Sequence, residues 1–228
     1  MEQASPQTNF FIRQLKKLSF QVILLVIIFI ICCWGLFAIA DMIFEDKNLA
    51  FDERVFAAIV PYYNDGNTRL MNFITFFGSH NFLLPANLLL IGIFLFYKKH
   101  RAYSLKIASV AITSTAVLFL LKFILKRERP LIPLISKAHG YSFPSGHTIS
   151  GLVFFGMLAY IIYKTIKNKF LKWALIILMF CFAFLVGFSR VYLKLHYASD
   201  VIAGFCIGII WLLLAKWILI KADKVNLS

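Results

Sequence analysis

Six long stretches almost free of charge leave this chain few ways to fold. They lie between Lys17 and Asp41, Arg69 and Lys98, Lys106 and Lys122, Lys137 and Lys164, Lys172 and Arg190, and Asp200 and Lys216. A helix that crosses a bilayer needs roughly 20 apolar residues, because nothing in the hydrocarbon layer can satisfy an open backbone. The chain is 61% hydrophobic and 15% charged, where soluble domains carry about 25% charged residues. The pattern predicts an all-α polytopic membrane protein with six transmembrane helices, and it excludes an ordinary soluble domain, a disordered chain and a collagen-like one.

The spans are expected near residues 19–40, 79–97, 102–125, 147–164, 170–188 and 200–220. Their even number puts both termini on one side. That side collects Arg13, Lys16, Lys17, Lys98, Lys99, Arg101, Lys164, Lys167, Lys169, Lys172, Lys221 and Lys224 with almost no acids, so the positive-inside rule makes it cytoplasmic. The first outer loop holds Asp41, Glu45, Asp46, Asp52, Glu53 and Asp65. The later outer cations Lys126, Arg127, Arg129, Lys137, Arg190 and Lys194 run against the usual bias and ask for a reason.

A net charge of +14 could suggest nucleic acid, but the basic residues sit in short clusters between apolar runs. Anionic lipid is the expected partner, and nucleic acid is not. A basic N-terminal segment, an apolar run and Ala38-Ile39-Ala40 imitate a secretory signal. The run exceeds the about 7–15 residues of a signal core, so an uncleaved anchor is expected. The four cysteines all fall within spans and form neither a disulfide framework nor a zinc pattern. A single membrane domain over residues 1–228 is expected, with a catalytic core at about 102–220 and an outer interfacial region at 41–78. In that region Phe51, Val55, Phe56, Ile59 and Val60 before Pro61 fit a short amphipathic helix at the interface. Asp65-Gly66 is expected to mark a turn, and residues 69–77 a second short helix or an extension of span 2.

Three polar segments lie at outer ends of spans: residues 122–130, Pro144-Ser145-Gly146-His147, and Ser189-Arg190 with His196 and Asp200. Topology alone gathers them at one membrane face. Lys122 and Arg129 stand at i and i+7, about two helical turns apart, which puts both cations on one helix face, and Pro130 then stops the helix. His196 and Asp200 stand at i and i+4, where the carboxylate can bind one ring nitrogen and turn the other outward as a lone pair. Residues 144–147 open span 4, where free backbone N–H groups and the helix dipole make a ready anion site. Three long cations, a helix N-terminus and two histidines suit phosphoryl transfer. The acids near the site are expected to be Asp200, committed to His196, and Glu128, beside two cations, so no magnesium site and no cofactor is expected. Spacing alone does not choose between His196 and His147 as nucleophile.

The series Lys122-x6-Arg129-Pro130, Pro144-Ser145-Gly146-His147 and Ser189-Arg190-x5-His196-x3-Asp200 resembles the three-part signature of the type 2 phosphatidic acid phosphatase superfamily. Thr75-Phe76-Phe77-Gly78-Ser79 and Asp52 are similar to the looser N-terminal half of bacterial members. The resemblance implies a six-helix fold and a phosphohistidine mechanism without metal. It also implies that His196 is the nucleophile, Asp200 its orienting partner and His147 the proton donor to the leaving oxygen. Lys122, Arg129 and Arg190, with Ser145 and the Gly146 and His147 amides, would hold the phosphate.

Taken singly, Lys126, Arg127, Lys137 and Lys194 read as cations reaching for lipid headgroups. His80, His100 and His139 read as interfacial, and Gly151, Gly156, Gly204 and Gly208 as close helix packing. The activity the resemblance implies is hydrolysis of the terminal phosphate of a membrane lipid such as undecaprenyl diphosphate, phosphatidylglycerophosphate or phosphatidic acid, at the outer face of a bacterial inner membrane. The alternatives are a lipid phosphotransferase acting, for example, on lipid A, and more distantly an anion transporter.

Overall fold

The computed structural model describes residues 6–97, 101–135 and 140–225, with side chains at 20, 22–97, 101–135 and 140–216. Lys98, Lys99, His100, Lys137 and His139 lie outside the described residues, as do the side chains of Arg13, Lys16, Lys17, Lys221 and Lys224. The described residues form eight α-helices: α1 (Pro6–Ala40), α2 (Ala50–Ile59), α3 (Asp65–Phe76), α4 (His80–Gly92), α5 (Arg101–Leu125), α6 (Gly146–Thr165), α7 (Lys169–Tyr192) and α8 (Ala198–Val225). Six stretches are long and apolar enough to cross a membrane, one of them the nearly continuous α3–α4 run Asp65–Tyr97. The protein is therefore an all-helical, multi-span membrane protein.

Helix α6 is buried along most of its length, with Ile149, Leu152, Val153, Phe154 and Phe155 all inaccessible. It is apolar all round, as a helix surrounded by other helices must be. Without a hydrophobic drive between helices in lipid, close backbone approach supplies the attraction. Gly208 of α8 faces Leu152 and Gly156 of α6 faces Leu212; a Cβ at these glycines would stand 2.7 and 2.6 Å from those side chains. Helix α1 packs on α8 and turns Ile23, Trp34 and Phe37 outward, where lipid is their solvent.

The short helix expected between the first two spans is α2, from Ala50 to Ile59. Asp65-Gly66 is not a turn: the two residues open α3, whose N-cap is Asn64, with its side chain accepting from the Asn67 N–H at 2.8 Å. Helix α5 stops at Leu125 and not at Pro130, because Lys126 takes a left-handed conformation with φ of 44°. Such a residue costs about 1–2 kcal/mol outside glycine. The turn drives Arg127 inward onto two buried carboxylates, which offsets that cost. Arg129 thus reaches the site from a loop, and the shared helix face expected for Lys122 and Arg129 does not exist.

Helix α7 continues past residue 188 to Tyr192 and closes with a Schellman motif. The Leu195 N–H binds the Arg190 carbonyl at 3.0 Å and the Lys194 N–H binds the Val191 carbonyl at 2.9 Å, with Lys194 at φ 52°. The same carbonyl of Arg190 takes the His196 N–H at 3.2 Å, so this cap sets where His196 stands. Between α3 and α4, a Cβ on Gly78 would meet Val186 Cγ1 at 2.4 Å and His147 Cβ and carbonyl oxygen at 3.2 Å. Gly78→Ala is therefore expected to cost about 1–3 kcal/mol by overpacking and to displace His147, read as a lower thermal midpoint together with slower turnover. An unchanged midpoint and rate would show that α4 can move away freely.

Candidate active site

The three polar segments meet at one end of the bundle. His196 lies in the connection between α7 and α8 and is 1% exposed. Its Nε2 faces Arg129 Nη1 at 3.1 Å and its Nδ1 faces Asp200 Oδ2 at 3.4 Å. A guanidinium can only donate, so Nε2 must carry the lone pair and Nδ1 the proton. Burial pushes His196 down to about 3, with Arg190 and Arg129 adding to it and Asp200 opposing. The ring is a neutral base at any ordinary pH.

That neutral state has a consequence for stability. The unfolded chain takes up a proton near the usual histidine value of about 6.5 and the folded site does not until about 3. In that window the unfolded state binds more protons, so this contribution to stability is intact above about pH 6.5 and falls as the pH drops toward 3. The slope is at most about 1.4 kcal/mol per pH unit. His196→Asn is expected to flatten the fall of the thermal midpoint between pH 6.5 and 4; an identical pH dependence in variant and parent would mean the ring is not buried neutral.

Asp200 is fully buried, but its carboxylate is not committed to His196. Oδ1 accepts from Arg127 Nη1, while Oδ2 accepts from Ser142 Oγ and from the Tyr197 N–H at 3.0 Å, with His196 the longer contact. A buried carboxylate gathers ionic and hydroxyl donors before a neutral imidazole. Arg127 is thus not a headgroup-seeking cation. It is buried, pairs with Asp52 Oδ2 at 2.9 Å, donates to Ser199 Oγ at 2.8 Å and stacks 4.1 Å from the centroid of the Tyr197 ring. The acids beside the site therefore include Asp52, which sequence reasoning left in the outer loop, whereas Glu128 is exposed. Lys126 is exposed, as expected, and Lys194 lies over the Phe56 and Tyr63 rings.

The remaining site residues surround His196. Lys122 Nζ donates to the Tyr141 carbonyl and, at 3.4 Å, to that of Ser142. Arg129 also donates to the carbonyls of Gly140 at 2.9 Å and Leu195 at 2.7 Å. Arg190 is buried; its Nη1 donates to Thr75 Oγ1 at 2.9 Å and its Nε has no partner among the described residues. Ser145 is buried at the N-cap of α6 and its Oγ accepts from Thr148 Oγ1 at 2.8 Å, so no side chain caps the helix. The Gly146 and His147 amides are left as orphan donors of the first turn, next to Lys122 Cε. His147, the second residue of α6, packs against Gly78 through its Cβ and backbone carbonyl. It also lines a cavity of about 530 Å³ between α4, α5 and α6, which runs from Lys122 and Gly146 down past Leu118, Ser114 and Val153.

Two signals could have exposed the missed residues. Asp52 shares the apolar stripe of α2 with Val55, Phe56 and Ile59, and a carboxylate on such a stripe needs a partner. Arg127 is the adjacent cation that a helix end at Leu125 would have turned inward. Among the described residues, no three His, Cys, Asp or Glu side chains converge as metal ligands would.

Residues 103–224 match the PAP2 superfamily. The chain is 33% identical over 168 residues to phosphatidylglycerophosphatase B of Bacillus subtilis (strain 168), covering 72% of this chain and 81% of that protein. It is 29% identical over 167 residues to the undecaprenyl-diphosphatase BcrC of the same organism, covering 68% and 78%. The crystal structure of a transmembrane PAP2-type phosphatidylglycerolphosphate phosphatase from Bacillus subtilis superposes with a TM-score of 0.75 at 28% identity, over 85% of this chain and 96% of that one. With the signature residues gathered at one end of a six-span bundle, the chain belongs to the PAP2 superfamily and is a membrane phosphatase of its lipid-phosphatase branch.

Proposed function

We propose that the protein hydrolyses the terminal phosphate of a membrane lipid through a phosphohistidine at His196, without a metal ion. The observation that carries this reading is the pair of contacts on one imidazole: Arg129 at 3.1 Å from Nε2 and Asp200 at 3.4 Å from Nδ1. They present a neutral nucleophile whose Nε2 lone pair accepts from Arg129, a bond the guanidinium exchanges for the phosphate oxygens when substrate enters. In the first step Nε2 attacks phosphorus in line, the bond to the lipid oxygen breaks, and His147 gives that oxygen its proton. The imidazole ring becomes cationic next to the Asp200 carboxylate. Lys122, Arg129 and Arg190, with the Gly146 and His147 amides and Ser145, stabilise the equatorial oxygens. The unpartnered Arg190 Nε is a donor waiting for such an anion. In the second step His147 takes a proton from water, which attacks phosphorus and frees His196 and inorganic phosphate. Asp52 and Asp200 both spend their charge on Arg127, so neither is free for a magnesium ion.

The apolar cavity beside His147 supports a lipid that enters sideways, with its phosphate at the cations and its tail between α4, α5 and α6. The relatives' names point to phosphatidylglycerophosphate and undecaprenyl diphosphate as headgroup classes, with phosphatidic acid the simplest analogue. The charge asymmetry of the loops supports a site on the outer side of an inner membrane with both termini in the cytoplasm. Purified protein is to be incubated with each of these lipids, and free phosphate and dephosphorylated lipid followed together. Equimolar release is expected for at least one lipid. Loss of lipid phosphate without free phosphate would instead indicate transfer to another lipid.

A further inference from the structure

We propose that Asp52 and Arg127 are positioning residues for hydrolysis: Arg127, anchored by Asp52 of the interfacial helix α2, clamps the Asp200 carboxylate in the place from which it orients His196. The inference rests on the reading of His196 as nucleophile. Asp52 is 0% exposed, although it stands on a short helix outside the spans. Its Oδ2 accepts from Arg127 Nη2 at 2.9 Å and from Ser199 Oγ at 2.6 Å, and its Oδ1 accepts from the Ser199 N–H at 2.9 Å, at the start of α8. Arg127 in turn puts Nη1 on Asp200 Oδ1.

The geometry divides Asp200 into two working halves. Arg127 occupies Oδ1, and Oδ2 is left to Ser142, Tyr197 N–H and His196. A carboxylate can rotate about its Cβ–Cγ bond, and Arg127 on Oδ1 opposes that rotation together with Ser142 and the Tyr197 N–H on Oδ2. A neutral imidazole also gives a buried carboxylate no counter-charge, so without Arg127 the Asp200 charge would have to move or be neutralised. The planar fork of arginine spans two carboxylates at once, whereas one ammonium does not. Asp52 keeps that fork turned toward Asp200, linking the interfacial helix to the nucleophile through three buried ionic side chains.

A mere staple between α2, the loop and α8 would contribute stability and leave the chemical step alone. The two roles separate in kcat against KM. The full chain in detergent is to be assayed on a soluble short-chain phosphate as Asp52→Asn, which keeps size and an acceptor for Ser199, and as Arg127→Lys, which keeps charge but loses the fork. Glu53→Gln, exposed on the same helix, is the control and is expected to match the parent. Rates are taken below each thermal midpoint and expressed per folded molecule. Both variants are expected to lose about 10–100-fold in kcat, the size seen when a partner behind a functional ligand is removed, with KM within about twofold. A kcat equal to the parent's in either variant, a change confined to KM, or failure of both to yield folded protein would overturn the proposal and leave a staple. Active His196→Ala would instead overturn the nucleophile reading, so the two failures are distinguishable.

Discussion

His196→Ala is expected to lose at least about 10⁴-fold in kcat and to form no phosphoenzyme, while remaining folded. The size follows from what is removed. His196 is the buried neutral base whose Nε2 accepts from Arg129, and its replacement by alanine leaves the cations with a bound phosphate and nothing to attack it. The cations would still bind substrate, so KM should change far less than kcat. Asp200→Asn is expected to fall less steeply, because the nucleophile stays while its orientation suffers. A His196→Ala protein within about tenfold of the parent would move the nucleophile elsewhere, with His147 the first candidate.

His147→Ala should lose rate in proportion to how badly the leaving oxygen needs a proton. General acid catalysis contributes about 10²–10⁴-fold. His147 lines the lateral cavity together with Lys122 and Gly146, and with the tail in that cavity the oxygen joining phosphate to lipid would lie near it. For an alkyl phosphate the loss should approach the upper part of that range. For a nitrophenyl phosphate, whose leaving group needs no proton, phosphoenzyme formation should slow by about tenfold or less. A lipid diphosphate, which expels a phosphate ester, should fall between them. Equal losses on all three would mean that His147 holds the phosphate and does not act as the acid.

The spans and the assembly of the site were legible because burial in lipid writes itself in long apolar runs, and because outer cations against the charge bias call for an anion. Lys122, Arg129, His147, Arg190, His196 and Asp200 come together as expected. How they do so was less legible. The i, i+7 spacing of Lys122 and Arg129 suggested a common helix face, yet a left-handed residue at Lys126 ends α5 first, and that residue type carries no such signal. Asp65-Gly66 has the composition of a turn but follows an asparagine whose side chain caps α3. Arg127 was read as a surface cation because its partners, Asp52 and Asp200, are 75 and 73 residues away in sequence and meet it only in the folded chain.

The most direct test of a metal-free phosphohistidine at His196 is trapping it. Purified protein in excess EDTA is mixed with a substrate labelled in its terminal phosphate, quenched within the first turnover, and the label followed through acid, alkali and peptide mapping. Phosphate bound to a ring nitrogen is labile to acid and survives alkali. The account predicts such a label on the peptide containing His196, formed no more slowly than with added magnesium. Turnover that leaves no labelled protein, a label on another residue, or one that forms only when magnesium is restored would contradict it.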